Sequence, residues 1–472
     1  MLPISENYAI FPSVVRADVP SDMVIVPREK AFLFFSGEEY RLTIISLNND
    51  EPSYYTPTTH VHLTATAADG VLRFSYTFPD EQEHLILLEY GEKQLQEFHV
   101  FSLREDLYRL RPLRGDLHSH SYRSDGKCDP AALAGHFREQ GYDFFALTDH
   151  NRYYPGGEID ETYDGVKLGI TRIPGEEVHA PDSVVHIVHV GGSSSVADLY
   201  VHDGDGFDRE IAEKYLPRVP SNIPERYADR YAKAIWATDK IHEAGGLAIF
   251  PHPFWIPGKS NTFNVCDEFA RILLTSEMFD AFELLGGCTQ ANQNRTVAFW
   301  GDLRAEGLKI PVVGSSDVHG IEKAHTFPHL FTICFAEENE TASILSAVQN
   351  GNTVAVEATN VEYDRHYRAY GSLRLVTYAQ FLLRNYFPKR QRICQGEGVA
   401  MRAYAIGEAD AALVEVQVKQ SESFSARFFG REAPILPSES MLAFEEKWRE
   451  IQLQGPLTKG SVIRSSTVTR QI

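Results

Sequence analysis

From about residue 111 to 357 the chain repeats one pattern: a short apolar run, an amphipathic stretch at helical spacing, then another apolar run. "GDLHSH", "PAALAGHFREQG", "DFFALTD", "VVHIVHVGG", "YAKAIWATDKIHEAG", "GLAIFPHP", "DAFELLGG", "RTVAFWGDLRAEG" and "IPVVGSSDVH" follow one another in that order. A run that is apolar throughout has no wet face, so it suits a strand covered on both sides. Strands separated by helices pair in parallel, because the helix carries the chain back along the sheet. The repeat therefore predicts an α/β fold, a parallel sheet or barrel with helices outside, whose chemistry sits at the C-terminal strand ends. The segment from about 198 to 232 breaks the rhythm and reads as an insertion that could cover the site.

The flanks differ in texture. Residues 1–110 hold short β-rich runs such as "MVIVP", "AFLFFS", "YRLTIISL", "HVHLTATAADGVLRFSYTF" and "HLILLEYG". Their alternation and turns predict an antiparallel N-terminal domain, a small sandwich. Residues 358–472 space their apolar residues as helices do, in "SLRLVTYAQFLLRNYF", "GVAMRAYAIGEADAALVEVQVKQ" and "MLAFEEKWREIQLQ", and read as a mainly helical appendage.

At 472 residues more than one domain is expected. The formal charge of −20 argues against stable binding of duplex nucleic acid, whose phosphates need Lys and Arg to displace their counterions. The 5 cysteines are scattered and form no CxxC pair, so they read as reduced thiols of a cytoplasmic protein. The N-terminus lacks the pattern of a secretory signal, and no apolar run is long enough to span a membrane.

Residues able to hold metal gather where the apolar runs end. "RGDLHSHSYRSDG", Arg114 to Gly126, places His118, His120 and Asp125 close together. In extended chain, residues i and i+2 share a face, so both imidazoles would aim at one point. "FFALTDH" delivers Asp149 and His150, "RIPGEEVH" delivers Glu176, Glu177 and His179, and "VVHIVHVGG" delivers His186 and His189. "GLAIFPHP" ends at His252, and "IPVVGSSDVHG" ends at Asp317 and His319. One such histidine is usually a satisfied structural group, but a series of them on one rim points to a metal centre. Imidazole with carboxylate and no thiolate suits Zn, Mn, Fe or Mg. His60 and His62 repeat the H-x-H spacing in the β-rich region, but no acidic or histidine partner stands in a matching context.

The ordered set "DLHSHS…SDG", "TDH", "GEE", "HP" and "SDVH" resembles the PHP domain of the polymerase and histidinol phosphatase superfamily, over roughly residues 111–357. The wording is most similar to its branch of metal-dependent phosphoesterases and carbaryl-hydrolase relatives. The resemblance implies a distorted seven-stranded β/α (TIM-like) barrel with two or three divalent ions on its rim. It implies one ion on His118, His120, Glu177 and Asp317, and a second sharing Glu177 with His186 and His252. A third would take Asp125, His150 and His319. Glu177 is preferred to Glu176, and His186 to His189, from the family's spacing to the neighbouring glycines.

Clustered divalent ions support hydrolysis by lowering the pKa of a bridging water and neutralising charge on the oxygens under attack. The leading expectation is a phosphoesterase acting on a small phosphorylated molecule, nucleotide or short oligonucleotide, with Glu177, Asp317 and His319 as its catalytic groups. A carboxyl or carbamate ester hydrolase and a non-catalytic metal-binding module are the alternatives. Arg123, Lys127 and Arg152 flank the ligand segments and could reach phosphate oxygens, or they are exposed loop charges. His179 could shuttle protons or brace a ligand.

Overall fold

The structure is a computed structural model describing residues 6–49, 59–154, 157–258, 260–321, 326–361, 364–444 and 447. The chain divides into two compact units. One runs from Glu105 to Ser425; the other combines the residues before Glu105 with those from Ala426 onward.

The N-terminal strands are β1 (Tyr8–Phe11), β2 (Val14–Arg16), β3 (Pro20–Pro27), β4 (Glu39–Ser46), β5 (Val61–Thr66), β6 (Leu72–Thr77), β7 (Gln82–Tyr90) and β8 (Lys93–Leu103). They form a three-stranded sheet, β1-β3-β6, and a five-stranded sheet, β2-β8-β7-β4-β5. Alternate residues of both sheets, among them Ile10, Met23, Ile25, Leu42, Ile44, Leu72, Ile86, Leu88 and Val100, share one apolar core. That is the arrangement of a sandwich. The "ADG" turn joins β5 to β6, yet these strands lie in different sheets. "AFLFFS", which reads as a strand, is a single 3-10 turn over Lys30–Phe32 followed by loop.

The other unit carries β9 (Arg111–Asp116), β10 (Phe144–Leu147), β11 (Thr171–His179), β12 (His186–Val190), β13 (Leu247–Phe250), β14 (Ala281–Leu285), β15 (Val312–Gly314), β16 (Leu330–Ala336), β17 (Thr353–Val361) and β18 (Asp364–Tyr370). They make one ten-stranded sheet in the order β15-β14-β13-β12-β11-β10-β9-β16-β17-β18. The sheet curls: Ser119, after β9, bridges in parallel to Val318, after β15. The result is mixed and barrel-like. Strands β10, β13 and β14 are buried throughout, as apolar runs covered on both faces require. Helices separate the strands; Pro130–Glu139 starts with proline, and the Asp129 carboxylate accepts from Ala131 N and Ala132 N.

Three expectations are corrected. The sheet is not wholly parallel, because β12 pairs antiparallel with both β11 and β13. An apolar run reads the same in either direction, so periodicity cannot show the reversal. Residues 364–370, read as part of a helical region, form β18, which pairs antiparallel with β17. The helices Leu373–Asn385 and Phe387–Ala405 are not a separate appendage but belong to the barrel-like unit. There the fully buried Arg138 donates to Glu397 at 2.7 Å and to Ser421 at 2.9 Å. The segment 198–232, read as an insertion, contributes Tyr200, Phe207, Ile211 and Tyr215 to the apolar core around Trp236. The expected final helix "MLAFEEKWREIQLQ" falls largely outside the described residues.

Candidate metal centre

The loops after β9 and β15 run side by side. His120 N donates to Val318 O at 3.0 Å and Asp317 N donates to His118 O at 2.9 Å. Ser119 bridges in parallel to Val318, and the side chains on either side, His118, His120, Asp317 and His319, meet at one rim. Asp116 clasps the two loops, accepting from His118 N at 3.1 Å and from Ser316 N at 3.0 Å. Burial pushes its carboxyl up to about 7. Asp149 accepts from Ser121 N, Ser121 Oγ and Ser124 Oγ, each at 2.7 Å, and so holds the loop that leads to Asp125. Strand β11 delivers Glu177 and His179. Because β12 is reversed, its first residue, His186, stands directly opposite His179 on the same rim.

Glu177 is the hub. Its Oε1 lies 2.9 Å from His186 Nδ1, 3.3 Å from His252 Nε2 and 3.4 Å from His179 Nε2. Its Oε2 lies 2.8 Å from His150 Nδ1, 3.3 Å from His118 Nε2 and 3.5 Å from His120 Nε2. Asp317 Oδ1 lies 2.9 Å from His120 Nε2 and 3.4 Å from His118 Nε2. Asp125 Oδ1 sits 3.2 Å from His319 Nε2 and 3.4 Å from His150 Nε2. The structure thus brings His118, His120, Asp125, His150, Glu177, His186, His252, Asp317 and His319 into one cluster, with His179 beside them.

These groups are crowded but unsatisfied. Both Glu177 oxygens, His118 Nε2, both His120 nitrogens, His186 Nδ1 and Asp317 Oδ1 are buried without a hydrogen-bond partner. An unpaired buried polar atom costs on the order of 1–3 kcal/mol, so such a concentration calls for a cation at its centre. Burial holds His120 and His186 down at about 4. Burial also opposes charge on His118, but Asp317, Glu283 and Glu177 overcome it and hold that imidazole well above its ordinary value. Against burial, His118 and His186 hold Glu177 well below the usual carboxylate range. Ionised carboxylates among imidazoles are the donor set that divalent metal requires. Two donors sit in left-handed backbone, Asp317 at φ 50° and His252 at φ 22°, a strain that accumulates at functional sites.

Glu176 and His189, the rejected neighbours, lie on the opposite face. Glu176 is fully buried and accepts from His189 Nδ1 at 3.2 Å and from Ser195 Oγ at 2.8 Å. Neither residue enters the cluster among the described residues.

One carboxylate was overlooked. Glu283, in the middle of β14, accepts from His118 Nδ1 at 2.9 Å and thereby turns Nε2 toward the cluster. Its signal is a lone acid inside the apolar run "DAFELLGG". The two glycines of that run are spatial requirements, because a Cβ at Gly286 would lie 1.9 Å from Glu283 Oε1 and one at Gly287 2.0 Å from Asp317 Oδ2.

A cavity of about 890 Å³ opens over the cluster, lined in part by Asp125, Lys127, Glu177, Trp255, Asp317 and His319. Of the three flanking cations, Lys127 lines it. Arg123 instead pairs with Glu158, at 3.2 and 2.8 Å. Arg152 is exposed and does not line the cavity.

Fold and cluster together define an α/β protein whose strand ends gather donors fit for divalent metal. No protein-family model matches the sequence. A stretch of 84 residues is 37% identical to the DNA polymerase/3'-5' exonuclease PolX of Bacillus subtilis, covering 16% of this chain and 15% of that protein. The chain thus spans far less than two thirds of that relative. A two-domain Bacteroides vulgatus protein containing a predicted PHP-like metal-dependent phosphoesterase is 19% identical, over 56% of this chain and 76% of that one, at a TM-score of 0.36. An amidohydrolase from Chromobacterium violaceum is 18% identical, over 45% and 89%, at a TM-score of 0.31. At such scores a structural likeness carries no argument about activity. Over those 84 residues the chain is similar to PolX, and its ordered strand-end motifs resemble those of the PHP domain.

Proposed function

We propose that this chain is a metal-dependent hydrolase, a phosphoesterase acting on a small phosphorylated molecule, nucleotide or short oligonucleotide. The observation that carries the reading is Glu177: one buried carboxylate with each oxygen facing a different set of imidazoles and neither hydrogen-bonded. On this reading β9 to β15 are the seven strands of a PHP barrel. His118, His120, Glu177 and Asp317 would hold one ion, Glu177, His186 and His252 a second, and Asp125, His150 and His319 a third. Zn, Mn, Fe or Mg would suit these donors. Bound there, two or three such ions acidify water and neutralise charge on substrate oxygens.

The chain's own residues supply the rest. Glu177 would be shared between two positions and set their separation, and Glu283 fixes which nitrogen His118 presents. Asp317 and His319 enter from one loop whose register Asp116 fixes, so a change there moves both. Lys127 would meet a phosphate's charge from the cavity wall. Among the described residues no helix is long and apolar enough to cross a membrane. The proposed compartment is the cytoplasm.

Elemental analysis after metal-supplemented expression should find two or three divalent ions per chain, and chelation should abolish turnover. A panel of phosphate monoesters and diesters beside carboxyl and carbamate esters tests the chemistry. Cleavage of a phosphate monoester or diester without cleavage of a carboxyl or carbamate ester supports the proposal; carboxyl or carbamate ester cleavage alone replaces it with the carbonyl alternative. Less than one metal equivalent would overturn both.

A further inference from the structure

One wall of the cavity is not used by the metal reading. Trp255 follows His252 by three residues on the loop after β13 and lines the cavity while partly exposed. Its backbone is fixed on both sides: Trp255 N donates to His252 O at 3.0 Å, and Asn264 N donates to Trp255 O at 2.7 Å. The Asn264 side chain in turn donates to Val184 O at 2.8 Å, tying the loop to the connection between β11 and β12. The backbone that carries the indole is thus held, and the indole centroid lies 5.9 Å from those of both His186 and His252. Ile321 adds apolar surface, and Lys127 places an ammonium on the same cavity. A volume of about 890 Å³ is of the size that accommodates a whole organic ligand, well beyond one phosphate group.

We propose that Trp255 is a stacking wall for a planar aromatic or heteroaromatic group carried by the substrate phosphoester. This inference rests on the phosphoesterase reading and adds the substrate's second half to it. An indole beside the donor cluster meets a flat π system over a large area at little entropic cost, because its backbone is already held and a Trp side chain has few torsions to lose. Stacking of this kind contributes roughly tenfold to a hundredfold in affinity. The competing role is packing: Trp255 could serve only to hold His186 and His252.

Calorimetric binding of phenylphosphonate and methylphosphonate to the metal-loaded full chain separates the two roles, with metal content and melting temperature measured on the same preparations. Wild type should bind phenylphosphonate roughly tenfold or more tightly than methylphosphonate. Trp255→Ala and Trp255→Leu should erase that preference, with metal content and methylphosphonate affinity kept, and Trp255→Phe should restore most of it. Equal affinity for the two probes in wild type, or a preference that survives Trp255→Leu, overturns the stacking wall and leaves the phosphoesterase reading standing. Loss of metal in both Trp255→Leu and Trp255→Phe assigns the indole to packing and also overturns it. If neither probe binds and no phosphate ester is cleaved, the phosphoesterase reading itself fails, and the inference falls with it.

Discussion

His60-x-His62 and His118-x-His120 share one spacing, and the molecule treats them in opposite ways. In the sandwich, His62 lies exposed on β5, an edge strand, and its Nδ1 meets Thr43 Oγ1 of neighbouring β4 at 3.0 Å. That hydroxyl in turn donates to Glu89 at 3.0 Å, so the imidazole ends in a small, satisfied chain of hydrogen bonds. Other sandwich histidines follow suit: His84 sits between Ser46 and Ser102, and His99 meets Glu83 at 2.7 Å. In the barrel-like unit, His118 and His120 are buried, face Glu177 and Asp317, and leave nitrogens without hydrogen-bond partners. Spacing sets only which face a pair shares. Whether that face becomes a metal centre depends on convergence: an edge strand of an antiparallel sheet has one neighbour to offer, whereas the closing end of a curled sheet collects donors from many strands.

The sharpest way to break the comparison is Glu177→Gln. It removes charge from the one carboxylate that both halves of the cluster share. At least one metal equivalent should be lost, and turnover should fall by more than the roughly 10–100-fold expected for an outer-shell partner. Glu176→Gln is the matched control. That acid is buried among His189, Ser195 and backbone amides, so its variant should keep its metals and lose thermal stability instead. Similar metal loss in both variants would show that the two faces of β11 are not separate.

Glu283→Ala tests whether orientation matters as well as proximity. His118 would lose the acceptor that fixes its Nδ1–H, and metal affinity should drop about 10–100-fold, with turnover partly restored by added metal. Glu283→Gln keeps an acceptor oxygen and should cost less. Metal titration followed by elemental analysis reads both, and unchanged affinity in the alanine variant would remove Glu283 from the site.

The contrast also explains what could be read from the sequence. Donors at strand ends are local features, and the apolar run before each of His150, His252 and Asp317 marks its place without any tertiary knowledge. The direction of β12 is not local. His186 reaches the rim because the strand runs backward, a fact carried by its pairing with β11 and β13 and by nothing in "VVHIVHV" itself. Glu283 hides for a related reason, since its function exists only through His118, distant in sequence and adjacent in space. The helices after residue 372 look detachable from their amphipathic pattern. What joins them to the barrel-like unit is the buried pairing of Arg138 with Glu397, two charges that read as surface residues until they are seen together.

A sandwich histidine should answer to pH where the metal cluster answers to metal. Burial holds His84 down at about 4, while the unfolded chain carries an ordinary imidazole near 6.5. Above 6.5 neither state is protonated at this residue and its contribution to stability is complete. As pH falls from 6.5 toward 4, the unfolded state takes up a proton that the folded state refuses, and stability is lost by up to about 3 kcal/mol. An NMR titration of the His84 ring in the intact protein should therefore show a midpoint near 4. His84→Gln should flatten the acid limb of the unfolding free energy measured with a probe in β7. A midpoint near 6.5 would mean that water reaches the ring.

The smallest effect belongs to His62→Ala, and it is the direct control on the comparison itself. His62 is exposed, and its imidazole meets a hydroxyl that already donates to Glu89. Removing the imidazole leaves Thr43 Oγ1 beside solvent, which replaces the lost donor, so the net cost should stay below about 1 kcal/mol. Metal content and turnover should not change at all. His120→Ala deletes the same side chain at the same H-x-H position in the other unit, and there the metal equivalents should fall. The decisive measurement is elemental analysis of the two variants purified in parallel under identical metal supplementation. Equal metal loss would place a donor of the cluster in the sandwich, and spacing would then have predicted function without convergence. Equal retention would instead show that His120 is dispensable and that the hub at Glu177 holds its ions through His118, His186 and His252.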